Sequence, residues 1–284
     1  FSELPEVEDP FAAPPELKLQ DTGNTSTSEI LALSPGWAFK GREEGSKRAI
    51  GRGSGGTKST ERAVELGLRW LARQQRTDGS WSLCGPYSDG VADVEGDNRA
   101  AATAMALLAF QGDGNTHKTG KFSRNVTLGW RWLARKQGPD GNFAQHVPYR
   151  HDFYSQAQCA IAVCELYGMS EDPRYKQPAE KAITYLIDSQ GELGGWKYAP
   201  KARSDLSVTG WVVMALQSAK MAGLDVPEET FQRINGFLDM MATHGGSRYK
   251  YEKGKSASLA MTAEGLLCRQ YLGWARDDPR LVAG

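Results

Sequence analysis

Three carboxylates at alternate positions, Asp93, Glu95 and Asp97, stand just ahead of a run of small apolar residues, Ala100–Phe110. His151, Asp152 and Tyr154 stand ahead of a second such run, and Asp205 and Trp211 frame the start of a third. Carboxylates, an imidazole and aromatic rings are the groups that move protons or orient a bound ligand. An acid at the head of a helix also has a plainer role, accepting the unpaired backbone N–H groups there and offsetting the helix dipole. Asp97, Asp152 and Asp205 all fit that plainer role. Cys159 follows His151 and Asp152 by about two helical turns, so these three form a conceivable zinc set, but one that misses the usual ligand pattern. No metal and no other cofactor is expected. No Gly-x-Ser-x-Gly, His-Glu-x-x-His or dinucleotide fingerprint competes.

The elements that must position these groups are legible in the composition. The chain has 284 residues, 40% of them apolar, with 34 basic side chains against 34 acidic ones. That is enough to fill a large core, and it leaves no net field to draw the chain onto nucleic acid or an anionic membrane. Four irregularly spaced cysteines make no disulfide framework. Cys159, Cys164 and Cys268 read as small buried helix residues and Cys84 as a loop thiol. No apolar run is long enough to span a bilayer. Residues 1–39 hold seven acidic side chains, one basic one and scattered prolines, and a basic, glycine-rich stretch follows. Residues 1–57 therefore read as a flexible arm, with Ile30–Phe39 the apolar piece able to dock.

From residue 58 onward the chain repeats. Trp70-Leu71, Gln75, Gly79 and Trp81 recur as Trp132-Leu133, Gln137, Gly141 and Phe143, and again as Tyr185-Leu186, Gln190, Gly194 and Trp196. The glutamines are 62 and 53 residues apart. A fourth copy, Phe237-Leu238 to Tyr249, has Ala242 in place of the glutamine. Each unit reads as an amphipathic outer helix (about 59–75, 123–137, 172–190 and 227–242), a glycine turn, and an inner helix (about 97–111, 154–167, 207–221 and 256–271). The inner helices are apolar nearly all round, which marks them as enclosed. A last start at Asp277–Gly284 suggests a fifth unit begun and a longer parent protein. The glutamines and turn aromatics read as scaffold: the amide satisfies carbonyls at a helix end and the ring pins the turn. On this reading Tyr249, in the unit without a glutamine, contributes less than Trp196.

This spacing resembles the QW motif of squalene-hopene cyclases, within the terpenoid cyclase and protein prenyltransferase α/α-toroid superfamily. It also looks like the repeats of bacterial prenyltransferase and squalene-oxidase repeat proteins. The resemblance covers residues 58–284 and implies an all-α fold, an α/α toroid whose full ring has six helix pairs. Four pairs would leave the ring incomplete.

The resemblance also implies where chemistry would lie. Class II cyclases protonate a terpene from an Asp-x-Asp-Asp segment at the head of an inner helix, and Asp93-Val94-Glu95-Gly96-Asp97 is the counterpart here. It departs from that pattern, with Glu95 at the third position and Gly96 at the fourth. In a toroid the inner-helix N-termini converge on one face, so His151, Asp152, Tyr154, Asp205 and Trp211 would line a ligand-binding mouth. The expectation is a binding or interaction module for an apolar or isoprenoid-like small molecule or a protein partner, without class II protonation. The alternative is a terpene cyclase or prenyl-group-handling enzyme with its acid in Asp93–Asp97. A soluble domain is expected, with any membrane attachment through segments outside this sequence.

Overall fold

In the computed structural model, residues 37–42, 46–47, 56–85, 96–148 and 150–284 are described. Among them the repeat folds as alternating helices. The outer helices are α1 (Lys58–Gln74), α3 (Ser123–Ala134), α5 (Pro173–Asp188) and α7 (Glu228–Met241). The inner helices are α2 (Arg99–Gly112), α4 (Asp152–Ser170), α6 (Leu206–Met221) and α8 (Leu259–Tyr271), and a short α9 (Pro279–Ala283) ends the chain. The only strands among the described residues are Ala242–Thr243 and Arg248–Tyr249, a two-residue antiparallel pair at the fourth turn. The inner helices pack side by side in chain order, α2 on α4, α4 on α6 and α6 on α8, while α3 and α5 flank them. α4 and α6 are buried on nearly every side, as their continuous apolarity requires.

Caps set the helix starts. The hydroxyl of Thr57, the amide oxygen of Asn98 and the hydroxyl of Ser258 accept first-turn N–H groups of α1, α2 and α8. Asp172 and Asp278 cap helices whose first residue is proline, where the missing N–H removes a donor that lacks an intrahelical partner anyway.

The glutamine of each repeat is a bolt between units. Gln75 Nε2 donates to the Gly79 carbonyl at 2.9 Å and to that of Asn125 on α3 at 3.0 Å. Gln190 Nε2 donates to Gly194 at 2.9 Å and to Thr230 on α7 at 3.1 Å, and Gln137 Nε2 donates to Pro178 on α5 at 2.8 Å. Asn125, part of an Asn-Val-Thr sequon, donates to Gln75 Oε1 at 2.7 Å and so belongs to the same joint. The turn aromatic closes each unit upon its inner helix. The backbone N–H groups of Trp81, Phe143, Trp196 and Tyr249 donate to the side chains of Thr103, Gln156, Thr209 and Thr262. The indole N–H groups of Trp81 and Trp196 return to the outer helix, each 2.8 Å from a carbonyl, of Leu71 and Leu186.

Tyr249 differs from the sequence-based expectation. It is fully buried despite the missing glutamine, its ring lies where Gly265 leaves room, and its hydroxyl accepts from Arg269 Nε at 3.1 Å. Arg269 in turn reaches Asn235 and Asp239 on α7. A tyrosine–arginine link stands where the other units carry the glutamine bolt.

Of the arm expected at residues 1–57, the described part is chiefly a 3-10 segment, Trp37–Arg42. Ile30 to Gly36, the rest of the piece expected to dock, lie outside the described residues. Phe39 is buried against Gly168 at the end of α4 and Ala222 at the end of α6.

Candidate functional site

Helix geometry gives each inner helix one face toward the outer layer and one away from it. On α4, Gln156 Nε2 reaches carbonyls of Gly141 and Ala182 on the outer side at 3.2 and 3.3 Å. Tyr154 lies about 200° further round. Gln158, Ile161 and Glu165 continue the Tyr154 face at three- and four-residue spacing. Hydrogen bonds fix how this face aligns with α6. Tyr154 Oη lies 2.9 Å from Ser207 Oγ, and Ser218 Oγ lies 3.4 Å from Glu165 Oε1, each pair 53 residues apart. α2 follows the same register, Asn98 Nδ2 lying 3.4 Å from His151 Nδ1. On the other side Gln217 Nε2 donates to the Tyr271 carbonyl of α8 at 2.8 Å.

This register arranges the inner face in layers. The first, nearest the helix N-termini, is Ala101, Tyr154, Ser207 and Ala260. Next come Met105, Gln158, Trp211 and Glu264. The third layer, Leu108, Ile161, Met214 and Leu267, is wholly apolar. In the second and third layers every residue but Ile161 keeps some exposure, although most of α4 and α6 is buried. The fourth layer is sealed: Glu165 is held between Ser218 and Arg42, whose guanidinium is 2.6 Å away, beside the buried Phe39 ring. On this face a layer with Gln158 and Glu264 therefore stands one turn above a wholly apolar one, and the arm covers the C-terminal end.

The N-terminal ends of α4 and α6 are crowded with aromatic and charged groups. Asp205 is fully buried and caps α6 through Val208 N–H at 2.9 Å, while its other oxygen accepts from Tyr251 Oη at 2.9 Å. Tyr198 and Tyr251 share a hydrogen bond of 2.8 Å between their hydroxyls. Lys197 pairs with Glu252 at 2.7 Å and lies over the Tyr198 and Tyr251 rings. Desolvation raises the Asp205 carboxyl above the ordinary carboxylate range. Burial, with the nearby charge of Asp205, pushes Glu264 up to about 8. Its carboxyl lies over the α6 backbone at Gly210, where a Cβ would collide with its Oε1.

These two acids predict a pH dependence of stability. Both keep in the folded state a proton that the unfolded chain loses near pH 4. Through these groups the folded state binds more protons above that pH, so their contribution to stability falls as pH rises toward 8, while His117, whose pKa burial lowers from 6.5, acts in the opposite sense below that value. Melting temperatures should therefore decline from about pH 6.5 to 8, and Glu264→Gln should flatten the decline. An unchanged slope in that variant would mean that Glu264 ionises normally.

The sequence-predicted residues divide accordingly. Tyr154 and Trp211 are half-buried on the face turned away from the outer layer, and Asp205 is buried at the start of α6. His151 is exposed and Asp152 half-buried at the start of α4, outside the layers. Cys159 faces α2, its sulfur 3.8 Å from the Ala100 carbonyl, and burial raises its thiol and that of Cys164, with Cys268 pushed up to about 12. Among the described residues no group of three potential metal ligands gathers. Asp93 and Glu95 lie outside the described residues. Asp97 accepts the Leu83 N–H at 3.1 Å, and its second oxygen is 3.5 Å from Arg99 Nε, at ion-pair distance but outside hydrogen-bonding geometry. Sequence reading passed over Gln158, Glu264, Lys197, Tyr198 and Tyr251. Stepping 53 residues either way from Trp211 would have found the first two.

No protein-family model matches the chain. It is 24% identical to squalene–hopene cyclase of Bradyrhizobium diazoefficiens over 191 residues, 58% of this chain and 27% of that protein. The fold is that of a terpenoid cyclase-like α/α toroid. Among solved structures, ent-copalyl diphosphate synthase from Streptomyces platensis aligns with 71% of this chain and 37% of its own, at TM-score 0.48 and 18% identity. The toroid chain thus spans about a quarter of the length of the curated relative it matches. Among the described residues no helix is long and apolar enough to cross a membrane.

Proposed function

We propose that this toroid is a binding module that takes an elongated apolar, isoprenoid-like molecule along its inner groove and does not protonate it. The observation that carries the reading is the half-open apolar layer Leu108, Ile161, Met214 and Leu267, set beneath Trp211 and closed behind by Arg42 and Glu165. An apolar chain laid there removes both its own surface and the groove's from water, roughly 25 cal/mol for each Å2. Asp97, the described member of the acidic segment, ties the Leu83 backbone to the start of α2 and sits beside Arg99. That is the work of a structural carboxylate.

The reading is tested by incubating the protein with squalene and with prenyl diphosphates and by measuring their binding directly. Saturable binding weakened by Trp211→Ala, with no product formed, is the expected result. A product that disappears in Asp93→Asn or Asp97→Asn would establish the enzymatic alternative instead.

A further inference from the structure

The layer that carries Gln158 and Glu264 is incomplete in one chemical sense. Gln158 Oε1 is buried and has no hydrogen-bond partner. Among the described residues no hydrogen bond or ion pair reaches the carboxyl of Glu264. The Gln158 oxygen is an acceptor, the Glu264 carboxyl becomes one when it ionises, and the 53-residue register sets them on either side of Trp211. A buried acceptor left unsatisfied is costly, and one in a groove that is partly open is an invitation to a donor. The nearby cations are already engaged: Lys197 by Glu252, Arg42 by Glu165, and Arg269 by Asn235 and Asp239.

We infer that the groove's ligand is an amphiphilic cation, an aliphatic amine whose ammonium group sits between Gln158 Oε1 and the Glu264 carboxylate, against the Trp211 indole, with its chain on the apolar layer below. The inference rests on the groove being the binding site. An ammonium supplies the donors these two oxygens lack, and an indole face attracts it further. A neutral alcohol would satisfy one acceptor only, and a fatty-acid carboxylate brings no donor to either oxygen. The groups facing Glu264 are Asp205 on the α6 side, Tyr154 on the α4 side and Cys268 one turn along α8. None is a cation. With its titration centred at about 8, Glu264 carries a proton at pH 6–7 and must release it when the ammonium arrives.

Calorimetric titration of the whole chain with n-decylammonium, 1-decanol and decanoate, at pH 6, 7 and 8 in buffers of different ionisation enthalpy, tests this. Expected is decylammonium binding that strengthens by up to about tenfold per pH unit and releases close to one proton per ligand at pH 6. Decanol binding should be weaker and independent of pH, and decanoate weaker still. Glu264→Gln, with its melt used to confirm folding, should abolish both the pH dependence and the proton release. Gln158→Leu should weaken decylammonium several-fold and leave the proton release intact. Equal affinity for decylammonium and decanol, or binding without proton release, overturns the inference and leaves the groove reading standing. Failure of every probe to bind overturns the groove reading and this inference together.

Discussion

Replacing Trp196 with alanine is expected to lower stability by about 3–5 kcal/mol, the range for removing a large aromatic side chain from a packed core. The ring is almost wholly buried, and its indole N–H donates to the Leu186 carbonyl at 2.8 Å. Both the packing and that hydrogen bond go in the variant. The loss should spread, because the turn holding Trp196 is also where Gln190 bridges to Thr230 on α7 and where Thr209 of α6 accepts the Trp196 N–H. In a repeat array each unit draws stability from its neighbours, so hydrogen exchange should speed up in α4 and α8 as well as in α6. Tyr249→Ala should cost a similar amount, because the Arg269 link compensates for the missing glutamine. Melts in denaturant would measure both. A Tyr249→Ala loss well below that of Trp196→Ala would show that the fourth unit is held some other way.

Gly194→Ala is expected to cost roughly 2–6 kcal/mol, although it adds a single methyl group. Gly194 has φ of +90°, which strains any residue with a Cβ by about 1–3 kcal/mol. The new Cβ would also collide with the Arg233 carbonyl oxygen of α7, and overpacking against backbone adds about 1–3 kcal/mol. Gly79 and Gly141 occupy the same place in their units, with φ of +96° and +93°, against the carbonyls of Leu128 and Lys181. The recurring glycine of the repeat is thus the point where each turn touches the backbone of the next outer helix. Equilibrium unfolding of Gly194→Ala beside an exposed control, Gly236→Ala, measures the combined cost against a site that carries neither effect. Gly236 lies in α7 with open space around it, where alanine should be neutral or slightly stabilising. Equal stability of the two variants would mean that the turns do not touch in this way.

The sequence alone determined the helix pairs, their order, which member of each pair is enclosed, and the glutamine–glycine–aromatic joint. These follow from local rules: amphipathic period, caps, turn glycines and a repeated spacing, all written within a few residues of where they act. It also placed the cap at Asp205, whereas α2 is capped by Asn98 rather than Asp97 and α4 has no side-chain cap at Asp152. Which side of the inner helices turns away from the outer layer was set by packing. On α4 and α6 nearly every position is apolar or small, so no periodicity separates the groove face from the outer face. The Tyr154–Ser207 and Glu165–Ser218 hydrogen bonds make that separation by fixing how neighbouring helices slide past each other. Glu264 shows the reason most clearly. In the sequence it is one ordinary charged residue among many, and the upward push on its pKa arises only when α8 lays it over Gly210, partly desolvated and near Asp205. Burial and proximity are properties of the packed chain, so no reading of neighbours along the sequence could have assigned them.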